Sequence, residues 1–407
     1  MATQKNILVI GGGASGFFAA INCAIQHPDA KITIIEKSQK LLAKVRISGG
    51  GRCNVTHHCF ENNELVKNYP RGERELRQVF AQFTVTDTIE WFAQRGVKLK
   101  AEVDGRIFPE SNTSETIINC FLSEAQKYNI SIKLGEEVLS ILRSKNNQLI
   151  IETTQQTTVV DAVICSIGGH HQLKNYEFLK KCGHTIDNLI PSLFTFNLPQ
   201  SPIKELMGLS VQQGTVKVTG TKHQYIGPVL ITHWGLSGPA VLKLSAFAAE
   251  DFFKLNYQVG ISVNWTGSLN EEEVKHILSQ HISSKALIVN SPLVDIPKRL
   301  WEYLLYKAEI PISKPWIELG KKQLQKLAQV LVNDTYEMQG KTTFKEEFVT
   351  SGGINLKEVN FKTMESKLVP HLFFCGEVLN IDGITGGFNF QNAWSTAWIA
   401  AKHCIAN

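Results

Sequence analysis

An α/β fold, with a nucleotide-binding domain split by an inserted β-rich domain that carries a small helical lobe, is predicted by three observations. A β-branched run, a glycine turn, an amphipathic segment and a second β-branched run follow one another at the start of the chain. Short apolar strands that end in glycine return at 161–169 and 371–383. Between them, from 191 to 344, the texture changes first to alternating strands and then to amphipathic helices.

Each element has its reason. "NILVI" at 6–10 and "KITIIEK" at 31–37 are runs of the kind that lie buried in parallel sheets, and "ASGFFAAINCAIQ" between them places Phe17, Ala20, Ile21 and Ala24 at helical spacing. Together they make a βαβ unit. "DAVICSIGG" and "HLFFCGEVLNIDG" read as further buried strands of the same sheet. "TVKVTGTKHQYIGPVLITHWG" alternates and turns as antiparallel sheet does. From 267 onward "NEEEVKHILSQ" offers Asn270 as N-cap with Glu273 three residues later, and "PKRLWEYLL" and "KKQLQKLAQVLV" continue as amphipathic helices. The domains expected are therefore 1–190 with 345–407 for the nucleotide-binding part, 191–266 with 336–344 for the β-rich insertion, and 267–335 for the helical lobe.

Composition narrows the class. The 407 residues are 43% hydrophobic and 19% charged, which describes a globular chain able to bury a sizeable core. A net charge of +5 is too slight to demand nucleic acid, and the densest run, "KNYPRGERELR" at 67–77, is interrupted by Glu73 and Glu75 as a solvated helix face would be. The eight cysteines are scattered without a C-x-x-C pair, no signal peptide is evident, and no apolar run reaches the ~18 residues of a membrane span. A reducing cytoplasm and no membrane partner are expected.

Gly11, Gly13 and Gly16 match G-x-G-x-x-G in the context that motif requires, a strand before and a helix after. The first glycine permits the tight turn, the second lets backbone approach a pyrophosphate, and the third lets helix pack on strand. Ala14 and Ser15 begin the helix whose N-terminus favours phosphate. Glu36, followed by Lys37, ends the second strand where a carboxylate takes ribose hydroxyls and repels a 2′-phosphate. This Rossmann-type turn leaves NAD and FAD both open. Three further glycine stretches, "SGGGRCN" at 48–54, "SIGG" at 166–169 and "GEVLNIDGITGGFNFQNA" at 376–393, favour the longer cofactor, because an extended FAD needs several close backbone approaches. The positions expected along non-covalently bound FAD are thus Gly50, Gly51, Arg52, Cys53, Asn54, Gly168, Gly376, Asp382, Gly387, Phe388 and Asn389, besides those of the first turn. Asp382 is placed to accept a ribityl hydroxyl, and a helix starting near 389–393 would point its N-terminus at the ring edge where reduced flavin is negative.

The motifs "GGGASG", "KVRISGGGRCNVT", "THWGLSGPAVLKLS", "TSGGI" and "TMESKLVPHLFFCGEVLNIDGITGGFNFQNAW" resemble those of the BaiN-like FAD-dependent oxidoreductases, also called the aminoacetone oxidase family, over nearly the whole chain. Two departures, "CSIGG" for an "ATGG"-like strand end and Phe388 and Phe390 where Tyr and Leu are common, remove no glycine.

The chemistry has three candidates. Cys53 follows the glycines and is either a proton donor or a small buried residue. Five residues separate it from Cys59, one too many for the helical redox pair of disulfide reductases. Arg52 is read as a partner for phosphate or a substrate anion, or as half of a structural ion pair. His233, in "THWGLSGP", lies in the insertion, which in flavoenzymes of this split layout covers the ring and supplies substrate groups. His170 and His171 are expected as polar surface, and no metal is expected. The resemblance implies an oxidoreductase in which NAD(P)H transiently reduces FAD and hydride passes to an enone-type C=C bond. Its best substrate is a uridine of 23S ribosomal RNA, reduced to dihydrouridine. A small-molecule enone reductase or amine oxidase, and a flavin-bound ribosome assembly factor, are the alternatives. The oligomeric state stays open.

Overall fold

The computed structural model describes residues 4–292, 295–342 and 349–405. The chain divides into two compact units, Met1–Ser192 with Lys345–Asn407, and Leu193–Phe344. The first unit is built on β1 (Asn6–Ile10), α1 (Ala14–Gln26), β2 (Lys31–Glu36), β3 (Ser131–Leu134), β4 (Ala162–Cys165), β5 (Leu372–Phe374) and α2 (Phe388–His403). The strands lie in the order β3-β2-β1-β4-β5, all parallel, with Val9 opposite Ile34 on one side and Ile164 on the other. The central strands are covered on both faces, so β4 and β5 are apolar throughout and β1 is so after Asn6, with Val9 and Ile164 fully buried. Two short antiparallel strands, Glu365–Ser366 and Val359–Asn360, extend the β5 edge.

In α1 the pattern goes beyond one apolar face. Every residue from Ser15 to Ala24 is buried, because the helix is packed all round, as a core helix is. The Phe18 ring lies 4.5 Å from Trp91 and 5.3 Å from Trp394 of α2, and Phe17 lies 6.1 Å from Phe121. Between β2 and β3 the chain makes a small antiparallel sheet of Thr56–His57, Arg106–Pro109 and Leu99–Ala101. Between β3 and β4 it makes a meander of Val138–Arg143, Leu149–Thr153 and Thr157–Val160. The exit strand Ile186–Ser192 pairs antiparallel with the return strand Val349–Ile354, so the first unit is closed where the insertion leaves it.

The second unit is a seven-stranded antiparallel sheet with four longer helices, Pro239–Phe247, Glu271–Ser279, Lys298–Lys307 and Lys321–Val332. Asn270 caps as its spacing suggests: its Oδ1 accepts from the Glu273 N–H at 3.0 Å while its own N–H donates to the Glu273 carboxylate at 2.7 Å. The helices of 267–335 have no core of their own. Leu278, Trp301, Leu304 and Leu327 share one apolar cluster with the sheet residues Val216, Val263 and Met338.

Candidate functional site

The first glycine turn combines two packing glycines with one open one. Gly11 has φ +108°, and a Cβ on it would sit 2.5 Å from the Ser166 carbonyl oxygen of the neighbouring strand end; one on Gly16 would sit 1.9 Å from the Gly11 carbonyl oxygen. A Cβ on Gly13 would meet nothing within 4 Å. Gly13 is the N-cap of α1 and offers no side chain to its first turn, which also holds no acidic residue. Such a helix start presents free N–H groups and a positive dipole end, suited to phosphate.

Glu36 is fastened at the end of β2, with Oε2 accepting from the Gly12 N–H and Oε1 from the Ser38 N–H, each at 2.8 Å. Beside it opens a cavity of about 490 Å³ whose walls include Ile10, Gly11, Glu36, Lys37, Val138 and His170. Lys37 donates to Asn175 Oδ1 at 2.7 Å. His170 departs from its expected place on the polar surface. It is half-buried, its Nε2 lies 3.0 Å from the Ile167 carbonyl oxygen, and its backbone N–H donates to the Tyr176 hydroxyl at 3.1 Å. Burial, and then the nearby Lys37 and Lys44 ammonium groups, press its pKa down to about 4. The wall at Glu136–Val138 went unread in the sequence because the meander supplies it without a glycine or any other motif residue.

The second and last glycine stretches interlock, which explains why the chain carries both. Gly49, Gly50, Gly51 and Cys53 all have left-handed backbone, at φ +58°, +69°, +83° and +62°. Three glycines in succession are what such a path requires. A Cβ on Gly49 would approach Phe108 at 2.7 Å, whereas Gly50 and Gly51 face open space, as does Gly168. The strand Thr56–His57 then lies against the start of α2. Gly387 approaches so closely that a Cβ there would be 2.5 Å from the Thr56 carbonyl oxygen. With its amide oriented to satisfy its neighbours, Asn54 accepts from the Gly387 N–H at 3.0 Å and donates to the carbonyls of Thr56 and Ile107. Thr56 Oγ1 donates to Gln391 at 2.6 Å, Trp394 Nε1 to the Val55 carbonyl at 2.9 Å, and the Tyr69 hydroxyl to the Phe388 carbonyl at 2.7 Å. His57 stacks on Phe388 at 4.6 Å, with Nδ1 2.9 Å from the Gly386 carbonyl oxygen. Asn389 holds the loop from the other side, bonding both the N–H and the carbonyl of Gly383. Gly376 joins this stretch to the first turn: a Cβ on it would meet Ser15 Oγ at 2.6 Å. The glycine stretches therefore form one continuous seam across the first unit.

One further side-chain expectation changes, and two that had alternatives are narrowed. Asp382 is fully buried, and its carboxylate is taken by the Arg71 guanidinium and the Ser192 hydroxyl, so the ion pair rather than a ribityl hydroxyl accounts for it. Its pKa is raised by burial, with Arg71 opposing. Cys53 has no exposed surface; burial pushes its thiol up to about 12, with the Ser48 hydroxyl acting the other way. That is the packing alternative for Cys53, and all eight cysteines are free. Arg52 pairs with Glu102 at 2.5 Å and lies 4.0 Å over the Phe108 ring, the structural ion pair among its readings. His233 belongs to the second unit, where it is exposed in the turn between Gln224–Thr232 and Gly235–Ser237 with its ring edge-on to Trp234. In the run at 67–77 Arg71 is committed to Asp382 while Arg74 is exposed; farther along, Arg95 is committed to Glu124 and the Trp91 ring and Lys98 is exposed. Among the described residues no group of three or more His, Cys, Asp and Glu side chains is placed to hold a metal ion, and no helix is long and apolar enough to cross a membrane.

A parallel sheet in Rossmann order with a bare helix N-terminus above it defines the class, that of the Rossmann-type dinucleotide-binding proteins. Comparison with known proteins makes this specific. The chain belongs to the family of the HI0933-like protein Rossmann domain, whose sequence model matches residues 5–403. It is 27% identical to the ribosomal RNA dihydrouridine synthase of Escherichia coli and 26% identical to the 3-dehydro-bile acid delta(4,6)-reductase of Clostridium scindens, covering 98% of both chains in each case. Among solved structures, 3-ketosteroid-delta4-(5alpha)-dehydrogenase from Rhodococcus jostii shares the fold, with a TM-score of 0.50 at 11% identity over 98% of each chain.

Proposed function

We propose that this chain binds FAD non-covalently along the glycine seam and, with electrons from NAD(P)H, reduces an enone-type C=C bond, that of a uridine in 23S ribosomal RNA. The observation that carries the cofactor reading is Gly13 at the bare start of α1. Its backbone is extended, at φ −92°, and an added Cβ would meet nothing within 4 Å. Neither conformation nor packing asks for a glycine there; a ligand lying against the helix start does, whereas left-handed backbone already accounts for Gly50, Gly51 and Gly168. The α1 N-terminus would hold the pyrophosphate, Glu36 the adenosine ribose, and the cavity beside it the adenine. Bound FAD would supply the hydride. The chain's own task is then to shape the loop around Gly386 and Gly387 through Asn54 and Asn389, and to deliver a proton. Cys53 is sealed in the interior and is not the donor we assign; His233, exposed in the second unit, keeps that role on its sequence motif alone.

The substrate reading rests on relatives. Uracil's C5=C6 bond is conjugated to the C4 carbonyl, as the double bonds of an unsaturated 3-oxo steroid are to theirs, so both relatives' names describe one reaction type. A base must be unstacked to reach a flavin, which favours single-stranded or immature RNA. The bile-acid relative, of nearly equal identity, supports a small enone as the second reading. Mapping dihydrouridine in 23S RNA from cells with and without the gene tests the first. Loss of one dihydrouridine in the deletion strain, restored by the gene, is expected; an unchanged map leaves the enone reading in its place.

A further inference from the structure

We propose that Cys23 and Cys404 form a reversible dithiol–disulfide couple that ties α1 to the end of α2, far from the glycine seam. The two Sγ atoms lie 3.6 Å apart, in van der Waals contact, inside the first unit. Cys23 stands ten residues beyond Gly13, about 15 Å along α1, and Cys404 is the C-cap of α2. Neither thiol serves the cofactor reading, and the couple does not depend on it.

The surroundings give the two sulfurs different roles. The Cys23 and Cys404 thiols share a hydrogen bond, Cys404 Sγ also lies 3.2 Å from the Ala401 carbonyl oxygen, and His27, whose Nε2 is 3.1 Å from that same oxygen, stands beside them. The Cys23 hydrogen bond, and then His27, lower the Cys404 thiol below the ordinary range against the opposing effect of burial. Burial raises Cys23. Cys404, at the end of its helix beside His27, is the thiol an oxidant reaches first and so the attacking one, and Cys23, inside α1, is the resolving thiol. With hydrogen peroxide as oxidant, the Cys404 sulfur displaces hydroxide from the O–O bond and becomes a sulfenic acid. The Cys23 sulfur then attacks it, the S–S bond forms, the S–O bond breaks, and the departing hydroxide leaves as water with the thiol proton. Two thiols lose two electrons in all, and one peroxide becomes two waters. The sulfurs need to close by about 1.5 Å to reach bonding distance. Both thiols are shielded, at 0% and 2% exposure. Helix ends fray more readily than helix middles, so peroxide would enter at the last turn of α2.

The test uses the full-length native protein treated with hydrogen peroxide, quenched with an alkylating agent and digested without reduction. Expected is a peptide linking Cys23 to Cys404, absent after dithiothreitol, together with a rise in Tm of roughly 5 °C or more for the oxidised form, since the crosslink closes a long loop. Cys23→Ser should instead accumulate a Cys404 sulfenic acid that dimedone traps. Three results overturn the proposal: Cys404 passing to sulfinic acid in the wild type without a link, links from either cysteine to other partners, or oxidation only once the protein is unfolded.

Discussion

Replacing Gly13 by valine separates the cofactor reading from the fold. Gly13 has φ −92° and ψ −168°, extended backbone that any residue adopts, and an added Cβ meets nothing within 4 Å. The folded protein should therefore accept the side chain, at about 1 kcal/mol for replacing a glycine N-cap by a poor one. That moves Tm by only about 1–2 °C in a protein of this size. The ligand should not accept it. A valine there displaces a pyrophosphate from the helix start, and two lost hydrogen bonds to a charged group, at about 1.5–3 kcal/mol each, weaken binding by roughly 10²–10⁴-fold. Gly16→Ala is the contrasting variant. Its Cβ would lie 1.9 Å from a backbone oxygen, so it should lose several degrees of Tm or fail to fold. Flavin absorbance per protein, titration of the apoprotein with FAD and thermal melts read all of this. Gly13→Val retaining stoichiometric FAD, or melting as badly as Gly16→Ala, would refute the reasoning.

The Arg71–Asp382 pair is buried, so Arg71→Ala should cost about 3–5 kcal/mol in a denaturant titration, whereas Arg74→Glu should leave stability unchanged and weaken RNA binding with a shallower salt dependence. His170 titrates near 4 when folded and near 6.5 when unfolded, so between those values the unfolded chain binds more protons and stability falls as pH drops from 6.5 to 4. His170→Gln should flatten that part of the stability–pH curve, and a curve unchanged by the substitution would contradict the burial. Cys53→Ala should keep FAD and hydride transfer while losing about 1 kcal/mol of stability, whereas His233→Ala should keep FAD and lose roughly 10²–10⁴-fold in turnover. Single-turnover reduction of substrate distinguishes the two.

Local signals were legible in the sequence; distant partnerships were not. The glycine turn, Glu36 and the capping box at Asn270 each depend on residues within a few turns of chain, and each is in place. Asp382 looked like a ligand-facing turn residue because its partner Arg71 lies 311 positions away, and no local pattern announces that pairing. The same blindness made Arg71 look like surface charge. Cys53 followed glycines that face open space, but its own backbone at φ +62° turns the thiol inward, a reversal that spacing does not reveal. The second glycine run looked like one more approach to the cofactor. Part of its purpose is internal, since Asn54 and Thr56 receive Gly387 from the far end of the chain.

The most direct test of the proposed reaction is anaerobic. FAD-loaded protein, reduced beforehand, is mixed with 23S RNA lacking dihydrouridine, and the flavin spectrum is followed while the RNA is analysed for the product base. Reoxidation of the flavin with one dihydrouridine formed per flavin is the result expected. Reduced flavin that persists in the presence of the RNA and of small enones alike would contradict reduction of a conjugated C=C bond by this protein.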